Sequence, residues 1–338
     1  MDIPTWVWLA TAAGVVGLIF FDFFAHVRTP HAPTFSESAK WSVFYIALAL
    51  VFGVLVGVVW GWGSGTEYFA GYVTEKSLSV DNLFVFLIIM TKFAVPREFQ
   101  QKVLLVGVAI ALVLRTIFIL LGAAAIEQFS WVFYLFGAFL VYTAVKLARE
   151  HGDDEPDEKV GDGFAVRTLK RFVPTTDEYH GDKLTTKIDG RRFLTPMLVV
   201  MVAIGSTDIL FALDSIPAIY GLTTEPYIVF TANAFALLGL RQLYFLIGGL
   251  LERLVYLSQG LSVILGFIGI KLVLHALHVN ELPFINGGEH VEWAPEIPIW
   301  LSLTVILGTL AIATVASLIK TRRDAVAVEA APEPAPKA

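Results

Sequence analysis

Apolar stretches of about 20 residues, separated by short polar connections, organise the 338-residue chain. A helix rises about 1.5 Å per residue, so a stretch of that length crosses the roughly 30 Å hydrocarbon core of a bilayer. Nine stretches qualify, near 6–25, 41–61, 68–92, 102–123, 131–148, 193–217, 227–248, 256–277 and 299–319. They predict an all-α polytopic membrane protein. The third and sixth are the least apolar, so a broken or re-entrant segment is expected there. The first stretch has no basic n-region and is too long for a signal peptide, which makes it a retained span. The chain then divides into a membrane half (1–148), a charged loop (149–192), a second membrane half (193–320) and a tail (321–338).

The distribution of Lys and Arg gives the orientation, because cytoplasmic loops carry their excess. Arg28 and Lys40 follow the first span, and Lys92, Arg97 and Lys102 follow the third. Nine basic residues lie between Arg149 and Arg192, Arg253 follows span seven, and Lys320, Arg322 and Arg323 follow span nine. The alternate loops, 61–67, 124–130, 218–226 and 278–298, contain neither Lys nor Arg. The expected topology places the N-terminus outside and the C-terminus in the cytoplasm of a bacterial-type inner membrane.

Composition agrees with this class and narrows the chemistry. Charged residues make up 16% of the chain, against roughly 25% in soluble domains. The absence of cysteine excludes disulfides, iron–sulfur clusters and thiolate metal sites. The seven histidines show no paired ligand spacing. The loop starting "HGDDEPDEKVGDG" reads as solvated and partly disordered, or else as a regulatory or metal-capturing segment. The tail "AVAVEAAPEPAPKA" is of low complexity and is expected to be disordered.

Two of the apolar stretches carry matched acids. "TEKSLSVDNLFVF" begins at Thr74 and "TDILFALDSIPAI" at Thr207, so Thr74, Glu75, Asp81 and Asn82 align with Thr207, Asp208, Asp214 and Ser215. The match continues downstream. Arg115 and Arg241 each stand seven residues before a glycine, and Lys146 and Lys271 follow them by 31 and 30 residues. Spans three to five therefore repeat as spans six to eight. An odd number of spans per repeat inverts the second copy, as in many secondary transporters whose sites lie at the repeat interface.

Residues seven apart share a helix face. Thr74 with Asp81, and Glu75 with Ser79 and Asn82, form two neighbouring oxygen-bearing stripes, and Thr207–Asp214 and Asp208–Ser215 repeat them. Glu75 and Asp81 are six apart and face different ways, so a site would combine both motifs. An unpaired carboxylate near the bilayer centre costs about 3 kcal/mol or more and usually marks an ion or proton path. Four acids with Arg115 and Arg241 sum to −4 + 2 = −2, which one divalent cation would balance. Lys76 is expected to reach toward the outer interface. Carboxylate, amide and hydroxyl oxygens without thiolate suit Mn²⁺, Mg²⁺ or Ca²⁺. Two other readings remain open: structural Asp–Arg pairs, or a proton path without metal. Pro217 should kink or end its helix and free carbonyls beside the site. Asp22 is read as an interfacial partner of His26 and Arg28 or else a gate, and Lys146 and Lys271 as snorkelling residues at span ends.

At these motifs the chain resembles the TerC family of integral membrane proteins, which includes the Alx proteins. "EKSLSVDNLFVF" (75–86), "TDILFALDSIPAI" (207–219) and "FFDFF" in the first span carry the likeness, which runs from about residue 5 to 320. The resemblance implies a fold of seven to nine spans, manganese efflux in Alx-like members, and metal loading of secreted proteins in others. It also implies Glu75, Asp81, Asn82, Asp208, Asp214 and Ser215 as ion-site residues, with Thr74, Thr207, Arg115, Arg241 and Asp22 supporting or gating. The expected function is export of a hard divalent cation, Mn²⁺ foremost, with proton exchange as a further expectation. A membrane scaffold or redox-associated protein of a metal or tellurite stress complex is the alternative, and export of an amino acid is a third. No enzyme activity, resident cofactor or nucleic-acid partner is expected. The partners expected are the ion, protons and the bilayer, with homo-oligomerisation left open.

Overall fold

The computed structural model describes residues 3–27, 31–129, 131–149, 166–168, 171, 174–176, 178–188, 191–251, 254–280, 282, 285–289, 291 and 293–329. Among them are ten helices of twelve residues or more. In the first half these are α1 (Thr5–Asp22, continued as a π turn over Phe23–Val27), α2 (Phe35–Trp60), α3 (Trp62–Lys92), α4 (Arg97–Gln128) and α5 (Val132–Arg149). A hairpin of β1 (Thr185–Ile188) and β2 (Arg191–Leu194), antiparallel with Thr185 opposite Leu194, leads into the second half. There follow α6 (Pro196–Tyr220), α7 (Pro226–Leu237), α8 (Leu240–Leu251), α9 (Leu257–His278) and α10 (Ile299–Glu329).

Eight of the predicted spans are helices long and apolar enough to cross a membrane, with α7 and the start of α8 forming one of them. The stretch left out is α3, which carries too many charges for that class: Glu67, Glu75, Lys76 and Asp81. It is nonetheless one continuous helix of 31 residues. Its polar positions are tolerable because they turn inward: Glu75 and Thr74 are fully buried.

Burial orders the bundle from rim to centre. Only 17% of the apolar window of α1 and 22% of that of α10 are buried, whereas 89% of Pro226–Leu246 is. The apolar outer faces, Val43, Val51 and Val58 on α2 for example, are exposed as lipid-facing residues would be. Helix starts are marked locally. Thr34 caps α2 by accepting from Glu37 N at 3.2 Å, and Pro196 and Pro226 sit in the first turns of α6 and α7, where a missing N–H costs no bond.

Three helix pairs build the interior. α3 lies along α7 so closely that a β-carbon on Gly71 would stand 3.2 Å from Ala232 Cβ. α4 lies along α6, with Gly107 against Ile204 near one end and Tyr220 Oη donating to Ile119 O at 2.6 Å toward the other. In both pairs the two chains run in the same direction. α5 and α9 run oppositely, with Gly137 and Gly269 in backbone contact.

Span seven departs from expectation. The break falls here rather than in the third or sixth span: α7 stops at Leu237 and α8 restarts at Leu240. Gly239 has φ +78°, and a β-carbon there would meet Tyr45 Cβ at 2.8 Å, so only glycine fits. Lys76 does not reach the outer interface. Its ammonium donates to Ala236 O at 3.0 Å and Leu238 O at 3.5 Å, capping carbonyls that the break leaves open. Pro217 does not break α6, which continues to Tyr220, with Gly221 N donating to Pro217 O at 2.9 Å.

The charged loop holds more structure than its composition suggests. Beyond the hairpin, Tyr179 Oη donates to Phe93 O at 2.8 Å, and Lys102 Nζ pairs with Asp182 at 2.7 Å. Burial pushes the Tyr179 phenol up to about 12, and the Lys102 hydrogen bond holds the Asp182 carboxyl below its usual range. The segment "HGDDEPDEKVGDG" lies outside the described residues, as does the tail beyond Glu329; up to that residue α10 remains helical.

Candidate functional site

Arg115, midway along α4, is completely buried. Its guanidinium holds Asp208 as a fork, with Nε to Oδ2 at 3.2 Å and Nη2 to Oδ1 at 3.0 Å. Nη1 donates to Ser215 Oγ at 3.2 Å and forms an ion pair with Glu75. Asp208 and Ser215 are seven apart and share the α6 face predicted for them, and Arg115 lies across that face. Glu75 of α3 and Asp208 of α6, aligned acids of the two matched sequence motifs, therefore meet on one arginine. Two carboxylates and one guanidinium leave −2 + 1 = −1 on groups that are all nearly or fully buried.

Oxygen donors without partners sit in the same interior. Among the described residues, buried Thr74 Oγ1, Ser79 Oγ and both polar atoms of the Asn233 amide make no hydrogen bond. The Glu75 oxygens accept none beyond the ion pair. An unsatisfied buried polar atom typically costs about 1–3 kcal/mol; a second set, Ser38 Oγ, Arg241 Nε and Gln242 Oε1, lies around Arg241. Asn233 was not foreseen. It lies one helical turn from Val229, which packs on Ile119 and Ile216 of the α4–α6 pair. The available signal was an amide inside the apolar run "YIVFTANAFALLGL".

The other predicted residues divide between two further places. Asp214 follows Asp208 by six residues and faces away from Arg115. It accepts from Thr143 Oγ1 of α5 at 3.1 Å and, with Asn82 and Lys146, lines a cavity of about 260 Å³ between α3, α5, α6 and α9. Lys146 therefore lines a largely apolar cavity, and Lys271 donates to Ser302 Oγ of α10 at 3.2 Å. Thr207 is turned back on its own helix, donating to Ala203 O at 2.8 Å. Asp81 lies on α3, but its side chain is outside the described residues.

Arg241 joins neither group. Its Nη2 donates to Asp22 Oδ1 at 2.7 Å, Gln242 Nε2 donates to the same oxygen at 2.9 Å, and Nη1 bonds Gln101 Oε1. Asp22 thus reaches across the bundle to a buried arginine; the side chain of His26, and Arg28 altogether, fall outside the described residues. Gln101 precedes Arg115 by 14 residues, so the two arginine clusters are separated by about 21 Å along α4. Among the described residues no group of three or more His, Asp or Glu converges on one point.

The sequence matches the profile described as "Integral membrane protein TerC family" over residues 60–325. An uncharacterized membrane protein of Mycobacterium tuberculosis is 52% identical over 317 residues, covering 94% of this chain and 80% of that one. The protein named "Putative membrane-bound redox modulator Alx" in Photorhabdus laumondii is 43% identical over 255 residues, covering 73% and 79%. The "Thylakoid membrane protein TERC, chloroplastic" of Arabidopsis thaliana is 44% identical over 241 residues, covering 71% of this chain and 62% of that protein. No solved structure matches. With a profile match over most of its length and relatives at this identity, the chain belongs to the TerC family of integral membrane proteins.

Proposed function

We propose that the protein is a secondary transporter exporting a hard divalent cation, Mn²⁺ foremost, across the inner membrane, with protons moving the other way. The observation that carries this reading is the meeting of Glu75 and Asp208 on Arg115, deep in a membrane bundle, beside unpartnered hydroxyl and amide oxygens. Buried acids of this kind normally mark a path for ions or protons, and the donor set suits Mn²⁺, Mg²⁺ or Ca²⁺ over softer ions. The helix pairing adds support. Exchanging α3 with α6, and α4 with α7, turns the α3–α7 pair into the α6–α4 pair and leaves α5–α9 as a pair. A two-fold axis in the membrane plane would relate helices in this way.

In mechanism, the cluster's negative charge draws the cation in and Arg115 holds the acids when no ion is bound. Asp214 supplies a third carboxylate, which faces the cavity, and rocking of one repeat against the other alternates access. Protons compete for the same buried carboxylates and so couple to export. The test is Mn²⁺ flux in proteoliposomes, with Mg²⁺, Ca²⁺ and Zn²⁺ as competitors and an imposed pH gradient. Wild-type flux that responds to the gradient and is lost in Asp208→Asn is expected. Absence of flux from folded wild type under every gradient would overturn the reading.

The names of the Alx relatives favour a second reading, in which the protein modulates redox state at the membrane. Without cysteine the chain cannot do thiol chemistry itself, so that role would fall to a partner. It predicts no flux and an unchanged phenotype in Asp208→Asn.

A further inference from the structure

Lys76 stands near the middle of the 31-residue α3, with about 20 Å or more of helix between it and either end. Its neighbour Glu75 turns to Arg115, whereas its own ammonium is directed at the break in span seven, on Ala236 O at 3.0 Å and Leu238 O at 3.5 Å. The backbone ladder runs up to that point and resumes after it: Leu238 N donates to Ala234 O and Leu243 N to Gly239 O, both at 3.0 Å. α7 ends here without a basic residue in its own last turn. The negative end of a helix dipole and open carbonyls therefore lie at mid-membrane depth, far from bulk water. In transporters built on broken helices, such ends hold Na⁺ or protons. Here the position is taken by a side chain.

The other matched stretches supply a control within the same molecule. Thr74 aligns with Thr207, which sets Lys76 against Ile209, and Arg241 aligns with Arg115, which sets Leu238 and Gly239 against Leu112 and Val113. α6 lies along α4 as α3 lies along α7, yet α4 passes through Leu112 and Val113 as unbroken helix. The lysine and the break occur together in one pair and are absent together from the other. The acids occur in both, so the lysine goes with the break.

We propose that the break in span seven is a monovalent-cation site and that Lys76 is its built-in occupant, so the protein runs without an alkali-metal co-ion. The consequence for transport rests on the carrier reading above; the site itself does not. With a permanent cation on the α7 carbonyls, the two half-helices keep one arrangement whether Na⁺ is present or absent. Removing the ammonium should open the position to a small cation from solution and make the protein depend on it.

The test is thermal unfolding of full-length protein in detergent, titrated with sodium, propylammonium or choline chloride at matched ionic strength. Lys76→Ala is expected to unfold at a lower temperature than wild type. It should regain about 2–4 °C, saturably, with Na⁺ or with propylammonium, which replaces the deleted part of the side chain. Choline is too large for the position and should do nothing, and wild type should respond to none of the salts. Lys76→Gln keeps a hydrogen-bond donor without the charge, so it is expected to share the Na⁺ response, and it decides the outcome if Lys76→Ala does not fold. Wild-type stability of Lys76→Gln without added cation, equal responses of wild type and variants, or no response to any small cation would overturn the proposal. Mn²⁺ efflux from proteoliposomes reads the consequence for transport: independent of Na⁺ in wild type, and raised several-fold by Na⁺ in Lys76→Gln. Wild-type efflux that requires Na⁺ would sink the inference as well. Wild-type protein that moves no Mn²⁺ would bring down the carrier reading alone, with the cation site still decided by the unfolding data.

Discussion

Arg115 and Arg241 occupy the same position in the two sequence repeats yet keep different company. Arg115 gathers Glu75 and Asp208, one acid from each repeat, and leaves a net −1. Arg241 gathers Asp22 from outside the repeats together with two amides, Gln101 and Gln242, for a net charge of −1 + 1 = 0. The first cluster is short of positive charge and the second is balanced, although unpartnered polar atoms lie at both, Thr74 Oγ1 and Ser79 Oγ near the first and Arg241 Nε and Gln242 Oε1 within the second. Both arginines of the matched sequence stretches are buried, and the surrounding spans decide what each one holds. The unbalanced cluster has the character of a site, and the balanced one that of a lock.

Removing each arginine tests this difference most forcefully. Arg115→Met leaves two buried carboxylates without a partner and should cost about 3–5 kcal/mol or prevent folding, read as thermal unfolding in detergent. Arg241→Met strands only Asp22, which also accepts from Gln242, and should cost less. Adding Asp208→Asn should partly rescue Arg115→Met; equal losses for the two arginines without rescue would erase the distinction. Next in size is Gly239→Ala, which forces a left-handed backbone and a Tyr45 contact on a side chain at the edge of the Arg241 cluster. It should destabilise by about 1–3 kcal/mol, seen as a lower unfolding temperature.

Asn233→Leu separates site from lock on the other side. If its amide is held unpartnered for an ion, the variant gains about 1 kcal/mol of stability and loses Mn²⁺ affinity in equilibrium binding. Smallest is the loop contact. Asp182 has its pKa lowered in the folded state, so its pairing with Lys102 stabilises above the ordinary carboxylate pKa of about 4 and is lost as pH falls through the lower folded value. Its exposure makes the effect slight, visible as faster amide exchange in residues 178–184 at low pH with no change at either arginine.

Much of the membrane architecture was legible because hydropathy runs and helix periodicity are local properties. The α6 face carrying Asp208 and Ser215 followed from a seven-residue spacing, and their convergence with Glu75 from the paired motifs. Less legible were features decided by neighbours distant in sequence. Gly239 breaks span seven because Tyr45 of α2 leaves no room for a β-carbon, and Lys76 turns inward because that break exposes carbonyls 160 residues away. Asp22 meets Arg241 across 219 residues, a pairing that no local pattern announces. Asp214 leaves the Arg115 cluster for a reason that was readable: six residues on a helix do not return to the same face as seven do.

The interlocking of the halves also bears on how the protein is made. Asp208 lies 93 residues after Arg115, and at about 5–20 residues per second the ribosome needs roughly 5–20 s to supply it. Through that interval α3 has left the ribosome with Glu75 and Lys76 in the most highly charged of the spans, while the carbonyls that receive Lys76 do not yet exist. Biogenesis must therefore keep this helix beside the insertion machinery, out of bulk lipid, until the second half arrives.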